Sequence, residues 1–488
     1  MTVEPEPSFD PLSDPRQDLQ DEIQFSGLLT AFCFMVCLSG VGLLLWSVAT
    51  TDLLADSPTA SRDLERLASR MLSFESRLPE LSSFEQMMFR LGGQDGDTQE
   101  HIRLWYEELV DLDRHPLDGL YLGVLTGEAG LKAELMHLIA KWDNKEAPDS
   151  LFQRLLQVVY IHDEADHFDY ETLQAQLAEW VPGNWFYFHV AQRLAESTGD
   201  RVLGKNLQTQ FKGLTDPLLW RWRVLLIIEM MMIGLGLIFF FRLGVARRNG
   251  RITSKDTKWG RGPSPWTFAE GMAVLARGGA LTIFLIGLVA VMPQGLMFVE
   301  HYGSILLYVP TVVLTAVVLC RPKKQSLFGV LGCSNPFQRI RSSFPILVSV
   351  IALGLLGDGL IMVGGEALDF SVHWTEWFLP QLIWGSQAEL WKTSIEFVLL
   401  APLFEELIFR GLLFTTFRAK FNFPISMLGS AFLFALAHGY GIVAFLAVFW
   451  SGLLWAWAYE RTGSVLPGIC AHAVNNGLVV YSLVAFFR

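Results

Sequence analysis

The sequence predicts an all-α protein, a polytopic transmembrane helical bundle of about nine spans with one inserted all-α extramembrane domain. Three observations carry that expectation. Hydrophobic residues make up 51% of 488 residues, and the mean hydropathy is +0.35, too apolar for a soluble chain of this length. The apolar residues gather in runs long enough to cross ~30 Å of hydrocarbon. The net charge of −12 is unevenly spread: residues 51–216 hold 29 acidic and 15 basic residues, which sets them at −14 and the remaining chain at +2. An acidic, water-soluble insert is carried by an apolar, mildly basic body.

The elements follow in order. Residues 1–24 are polar, acidic and proline-containing, a composition of disordered tails. Residues 25–49 carry no charge; with no basic region before them and too long a run for a signal peptide, they read as a first span that is retained. Residues 51–216 show apolar repeats at i, i+3, i+4 spacing, as in RDLERLASRMLSFESRL and DSLFQRLLQVVYIH. Turn signals at Gly92-Gly93, Pro148-Asp149, Pro182-Gly183-Asn184 and Gly199-Asp200 divide this segment into about six to eight helices.

A second span covers 221–241, and the linker at 242–275 after it holds Arg242, Arg247, Arg248, Arg251, Lys255, Lys258 and Arg261. The positive-inside rule makes this linker cytoplasmic, which leaves the acidic domain extracytoplasmic and residues 1–24 inside. Further spans are expected at 279–299, 304–320, 344–363, 389–412, 424–438, 442–458 and 466–487, with the C-terminus outside. Basic markers at Arg321, Lys323, Lys324, Arg418 and Arg461 fit the same alternation. The tryptophans of 366–388 mark a surface-lying or re-entrant segment.

Composition also excludes some functions. No basic stripe crosses the soluble part, so a nucleic-acid partner is not expected. The five cysteines (Cys33, Cys37, Cys320, Cys333 and Cys470) all fall outside the insert and form no C-x-x-C pair. They read as small packing residues rather than a disulfide framework.

The most informative stretch is Ala401-Pro-Leu-Phe-Glu-Glu-Leu-Ile-Phe-Arg-Gly411. An ionisable side chain at the bilayer centre costs at least about 2.5–3.5 kcal/mol, so such residues usually serve function and face the bundle interior. Four residues apart on a helix, Glu406 and Arg410 can pair. Glu405 is turned about 100° from Glu406 and is the better working carboxylate, placed for general-base work on water. His438 and His472 lie in two other apolar runs. Helical spacing sets Phe434 with His438, and His472 with Asn476, while Asn475 turns away. A histidine and an asparagine amide can hold an oxyanion. Alternatively, Glu405, His438 and His472 could ligate Zn²⁺ and leave a fourth position for water. No H-E-x-x-H is present.

These segments resemble the three motifs of the CPBP family, the CAAX proteases and bacteriocin-processing enzymes, also called Abi or type II CAAX prenyl endopeptidases. Glu405, Glu406 and Arg410 match its double glutamate with a following arginine, Phe434 and His438 its F-x-x-x-H, and His472 and Asn476 its H-x-x-x-N. The resemblance covers about residues 345–488 and leaves the insert unexplained. It implies an intramembrane endopeptidase in which Glu405 and His438 activate water while His472 and Asn476 bind the oxyanion. A metal-independent glutamate mechanism is favoured over a zinc one. It further implies a peptide or membrane-protein substrate and residence in a bacterial inner membrane. The extracytoplasmic domain is a candidate surface for a protein partner. The alternative is a non-catalytic CPBP-like scaffold or accessory protein.

Two further signals are weaker. Asp358 lacks the glycine pattern and second aspartate of aspartyl intramembrane proteases. His162 and His167 are spaced by five and read as part of a solvated acidic helix.

Overall fold

The structure, a computed structural model, describes residues 23–50, 53–91, 98–112, 115–142, 148–161, 170–249, 264–291, 307–368, 370 and 372–488. The tail before Ile23, the basic run at 251–261 and the His162–His167 pair lie outside the described residues. Among the described residues every regular element is helical.

The first span is α1 (Gly27–Thr50). The acidic domain follows as α2 (Ala60–Glu75), α3 (Ser83–Leu91), α4 (Thr98–Val110), α5 (Pro116–Glu128), α6 (Lys132–Lys141), α7 (Asp149–Leu156), α8 (Tyr170–Trp180) and α9 (Trp185–Thr198). All but α3 bury apolar side chains, and α3 contributes the partly buried Phe89. Leu64, Leu67 and Leu72 of α2 meet Tyr106, Tyr121, Phe152 and Phe186 in one core, where Tyr121 stacks on Phe186 at 4.1 Å. Burying each such side chain stabilises by about 1.5–3 kcal/mol. The turn residues act locally: the Asn184 side chain accepts from Tyr187 N at 3.1 Å and starts α9. Asp200 accepts from Val202 N and Leu203 N, both at 3.0 Å, and starts the next helix.

That next helix, α10 (Arg201–Arg248), is 48 residues long. The expected boundary near 216–221 therefore falls inside one continuous helix, about 72 Å long at 1.5 Å per residue. The third span, α11 (Phe268–Ala290), begins at Phe268 rather than at 279. Its start is fixed by a capping box: Thr267 Oγ1 accepts from Glu270 N at 3.2 Å, and Glu270 Oε2 accepts from Thr267 N at 2.8 Å. The charges of Glu270 and Arg277 hid this start within an apolar reading. Arg277 is satisfied by α1, donating to Thr30 Oγ1 at 2.9 Å and Ser26 O at 3.3 Å.

The remaining bundle is α12 (Leu307–Cys320), α13 (Pro336–Ala367), α14 (387–418), α15 (Phe423–Leu436), α16 (Ile442–Thr462) and α17 (Leu466–Phe487). Six described helices (α1, α10, α11, α13, α16 and α17) are long and apolar enough to cross a membrane, and α12 and α15 are shorter apolar helices. With the motif helix α14 they follow the expected spans in order. Small residues allow close crossings: a Cβ on Gly236 of α10 would stand 2.2 Å from Val348 O of α13.

The acidic domain docks on one end of the bundle. The segment at 366–388 forms two short helices, Trp374–Glu376 and Pro380–Trp384, whose Trp374, Leu382 and Ile383 join the domain core. Trp384 Nε1 donates to Asp63 Oδ1 while Arg62 lies 4.2 Å over its ring. The C-terminus is at this same end, where Arg488 donates to Leu382 O at 3.0 Å and Gly385 O at 2.9 Å. At the far end, Glu270 accepts from Ile23 N at 3.2 Å and Lys323 Nζ at 2.8 Å, and Arg418 pairs with Glu460 at 3.0 Å.

Candidate active site

The motif helix α14 is not uniform. It widens to π-helical turns over Glu396–Leu400 and Leu407–Phe414, on either side of the α-helical Ala401–Glu406. Pro402 lacks an N–H and its ring crowds the preceding turn, which accounts for the first widening. In that turn Phe397 O accepts a hydrogen bond from Asn476 Nδ2 at 2.9 Å, tying α14 to α17.

The two glutamates then diverge as their angular offset requires. Glu406 is fully buried, with Oε1 2.8 Å from Arg410 Nη1. The atoms are close but not aligned as a hydrogen bond. Arg410, also fully buried, donates to Gly452 O at 3.2 Å and lies 4.3 Å over Phe434 and 5.1 Å over Trp455. Cation–π attraction is strongest where water is excluded, so these rings compensate part of the charge. Gly468 is needed beside this pair: a Cβ there would stand 2.7 Å from Glu406 Oε2.

Glu405 faces a cavity of 580 Å³. Its Oε1 accepts from Tyr308 Oη at 2.8 Å, and its buried Oε2 has no hydrogen-bond partner in the protein. His472 Nε2 stands 3.8 Å from that free oxygen, and Nδ1 stands 3.6 Å from Glu406 Oε1. The imidazole is clamped by stacking on Trp455, centroids 4.0 Å apart at 20°. His438 lies just past the end of α15, its Nδ1 2.8 Å from Phe434 O. An Nδ1–H donated to that carbonyl leaves Nε2 as the lone-pair nitrogen.

Glu405, His438, His472 and Asn476 all line this one cavity, as do Tyr308, Trp455, Ser451 and Asp358. Span direction alone sets His438 near one membrane face and His472 near the other. The structure brings the two to one cavity all the same: α15 has only 14 residues and rises about 21 Å, short of the ~30 Å hydrocarbon thickness. Asn475, expected to turn away, lines the cavity beside Asn476. Tyr308 is the residue that sequence reasoning missed. A phenol inside an apolar span needs a buried partner, and that requirement was its one signal.

Among the described residues, no three His, Cys, Asp or Glu side chains gather closely enough to hold a metal ion. Glu405 Oε1 is already engaged by Tyr308. Glu405, His438 and His472 as arranged do not form a zinc ligand set.

Helices long and apolar enough to cross a membrane, with carboxylate, imidazole and amide groups lining one cavity among them, define the class of multi-pass helical proteins with a polar site inside the bundle. Residues 387–478, from the start of α14 to just beyond Asn476, match the family model described as type II CAAX prenyl endopeptidase Rce1-like. The chain thus carries an Rce1-like domain, consistent with a CPBP or CAAX protease. No curated protein and no solved structure matches the chain.

Proposed function

We propose that the protein is an intramembrane endopeptidase of the glutamate type. Glu405 Oε2 is the general base, assisted by Nε2 of His438, and takes a proton from water as its oxygen attacks the substrate carbonyl carbon. The oxyanion that forms is held by His472 and by the second N–H of the Asn476 amide. The proton returned from Glu405 goes to the amide nitrogen as the C–N bond breaks, releasing a new carboxylate and a new amine. Tyr308 is a positioning residue that fixes one oxygen of Glu405 and leaves the other for water. Glu406 and Arg410 form a structural ion pair under the site.

The observation that carries this reading is the unpartnered Glu405 Oε2, opening on a cavity that His438, His472 and Asn476 share. Cleaved membrane and secreted peptides are compared between cells with wild-type protein and cells with Glu405→Gln. Peptides that disappear with the variant support the protease. Identical peptide profiles, with the variant folded and inserted, favour the scaffold. Purified protein treated with EDTA separates the mechanisms: retained cleavage fits the glutamate, whereas loss restored by Zn²⁺ would make Glu405, His438 and His472 ligands.

The acidic domain is proposed to lie outside the cytoplasm of a bacterial cell. Cysteine introduced at exposed Ser197 should react with an impermeant reagent in intact spheroplasts, and cysteine at exposed Gln325 should not. The reverse pattern would invert the topology.

A further inference from the structure

Beside the catalytic cavity is a second one of 670 Å³, within the ~300–1,000 Å³ typical of ligand sites. It lies where the acidic domain meets the bundle. Met71 and Phe89 of the domain form one wall, Trp222 and Leu226 of α10 another, and Leu356 and Val363 of α13 a third. Its rim includes Leu360, 74% exposed, so the cavity opens sideways where α13 faces out of the bundle. Asp358 belongs to the linings of both cavities. Its Oδ1 is buried and has no hydrogen-bond partner in the protein, an arrangement that is costly without a ligand.

We propose that this second cavity binds an apolar segment of the polypeptide substrate, with Asp358 at the common wall accepting an N–H from the chain as it passes into the catalytic cavity. The inference rests on the peptidase reading and supplies its substrate class: a chain with several consecutive large apolar residues next to the scissile bond. The polar groups select the occupant. A lipid acyl chain has no use for ionisable side chains, yet Arg70, Glu229 and Asp358 interrupt these apolar walls. A polypeptide offers both kinds of surface, apolar side chains and backbone N–H and C=O groups. The shared wall puts the apolar stretch beside the bond to be cut, where remote binding energy can orient the reacting carbonyl.

The test uses full-length protein in lipid nanodiscs and two synthetic peptides, a cleavable tetrapeptide and the same sequence extended by a leucine- and phenylalanine-rich stretch bearing benzophenone. On Glu405→Gln protein, the long peptide should cross-link to α13 between 356 and 363 and to Met71 or Phe89. Met362→Trp and, independently, Leu226→Trp fill the cavity from two walls and should each reduce that cross-linking about tenfold, and Asp358→Asn should weaken it several-fold. With Glu405 intact, the kcat/KM ratio of long to short peptide should fall about tenfold in both tryptophan variants, through KM. Cross-links elsewhere on the apolar surface, recovery of only lipid photoproducts, or an unchanged ratio would overturn the inference while leaving the protease reading standing. Cavity cross-linking without cleavage of either peptide by wild type would reject the protease and uphold the site.

Discussion

The same three residue types meet in two regions of the molecule, with opposite outcomes. In the acidic domain, Glu128 is joined by His189 Nε2 at 3.0 Å and by Arg193, whose Nη2 donates at 2.9 Å and Nε at 3.2 Å. Burial alone would raise its pKa, yet the neighbouring imidazole and guanidinium outweigh that and hold the carboxyl at about 2. In the bundle, Glu406 meets Arg410 and His472 with all three side chains sealed from solvent, and both carboxylate oxygens lack an aligned hydrogen bond. Where water reaches, a carboxylate can be saturated with donors and becomes an ordinary stabilising ion. Where it does not, the cluster remains under-satisfied, and unused acceptor capacity is what a reacting group needs. Glu405, one residue earlier, has that capacity and also an open cavity.

The largest break of this comparison should come from Glu405→Gln, which removes the base but keeps the shape. Proteolysis of the best substrate should fall by about 10²–10⁴-fold, with the elution volume and helical signal of the purified protein unchanged. Near-normal turnover would remove Glu405 from the mechanism. Next is the sealed pair. Arg410→Met should cost about 3–5 kcal/mol because it leaves a buried charge uncompensated, whereas Glu406→Leu with Arg410→Met should recover most of that stability. Thermal unfolding in detergent measures both, and equal loss in single and double variants would show that the pair contributes more than mutual compensation.

The counterpart in the domain should respond more mildly. Glu128→Gln exchanges charge-assisted hydrogen bonds for neutral ones and should cost about 1.5–3 kcal/mol. Its pH signature is distinct. The folded pKa of about 2 lies below the ordinary 4.5, so the stabilisation is fully present above about 4.5 and is lost as pH falls toward 2. Glu85, held at about 2 chiefly by its hydrogen bond from Arg223, adds to the same window. Acid titration of the domain's unfolding should therefore steepen between pH 4.5 and 2, and Glu128→Gln should flatten part of that slope. The smallest effect is expected at the half-exposed Arg418–Glu460 pair, where Glu460→Gln should change stability by less than about 1 kcal/mol.

These contrasts also explain what could be read from residues alone. Glu405, Glu406, Arg410, His438 and His472 stand out because ionisable groups are rare in apolar runs, and helical spacing already separates the two glutamates. Periodicity likewise gives the helical character of the domain, since one-sided apolar stripes have few other uses. Tyr308 was hidden because a lone tyrosine carries no charge and lies 97 positions from its partner. The extent of α11 was hidden behind Glu270 and Arg277, whose costs are offset by Lys323 and by the first span. Asn475 illustrates a different limit. Ideal angular spacing assigns one face to each residue, but a cavity this wide takes in neighbours on both sides of His472.

The widened turns on either side of Ala401–Glu406 have a consequence for tolerated variation. Each takes in one residue more than an α-helical turn, so together they set the phase between Asn476's anchor at Phe397, the carboxylates and Arg410. Removing one residue within the α-helical Ala401–Glu406 would turn everything beyond it by about 100°, carrying Arg410 away from Gly452 O. Exchanging side chains along the outer surface of this helix leaves that phase intact. The helix is thus permissive to substitution and intolerant of indels, and a scan of single-residue deletions would map the constraint without any assay of cleavage, through loss of folded protein alone.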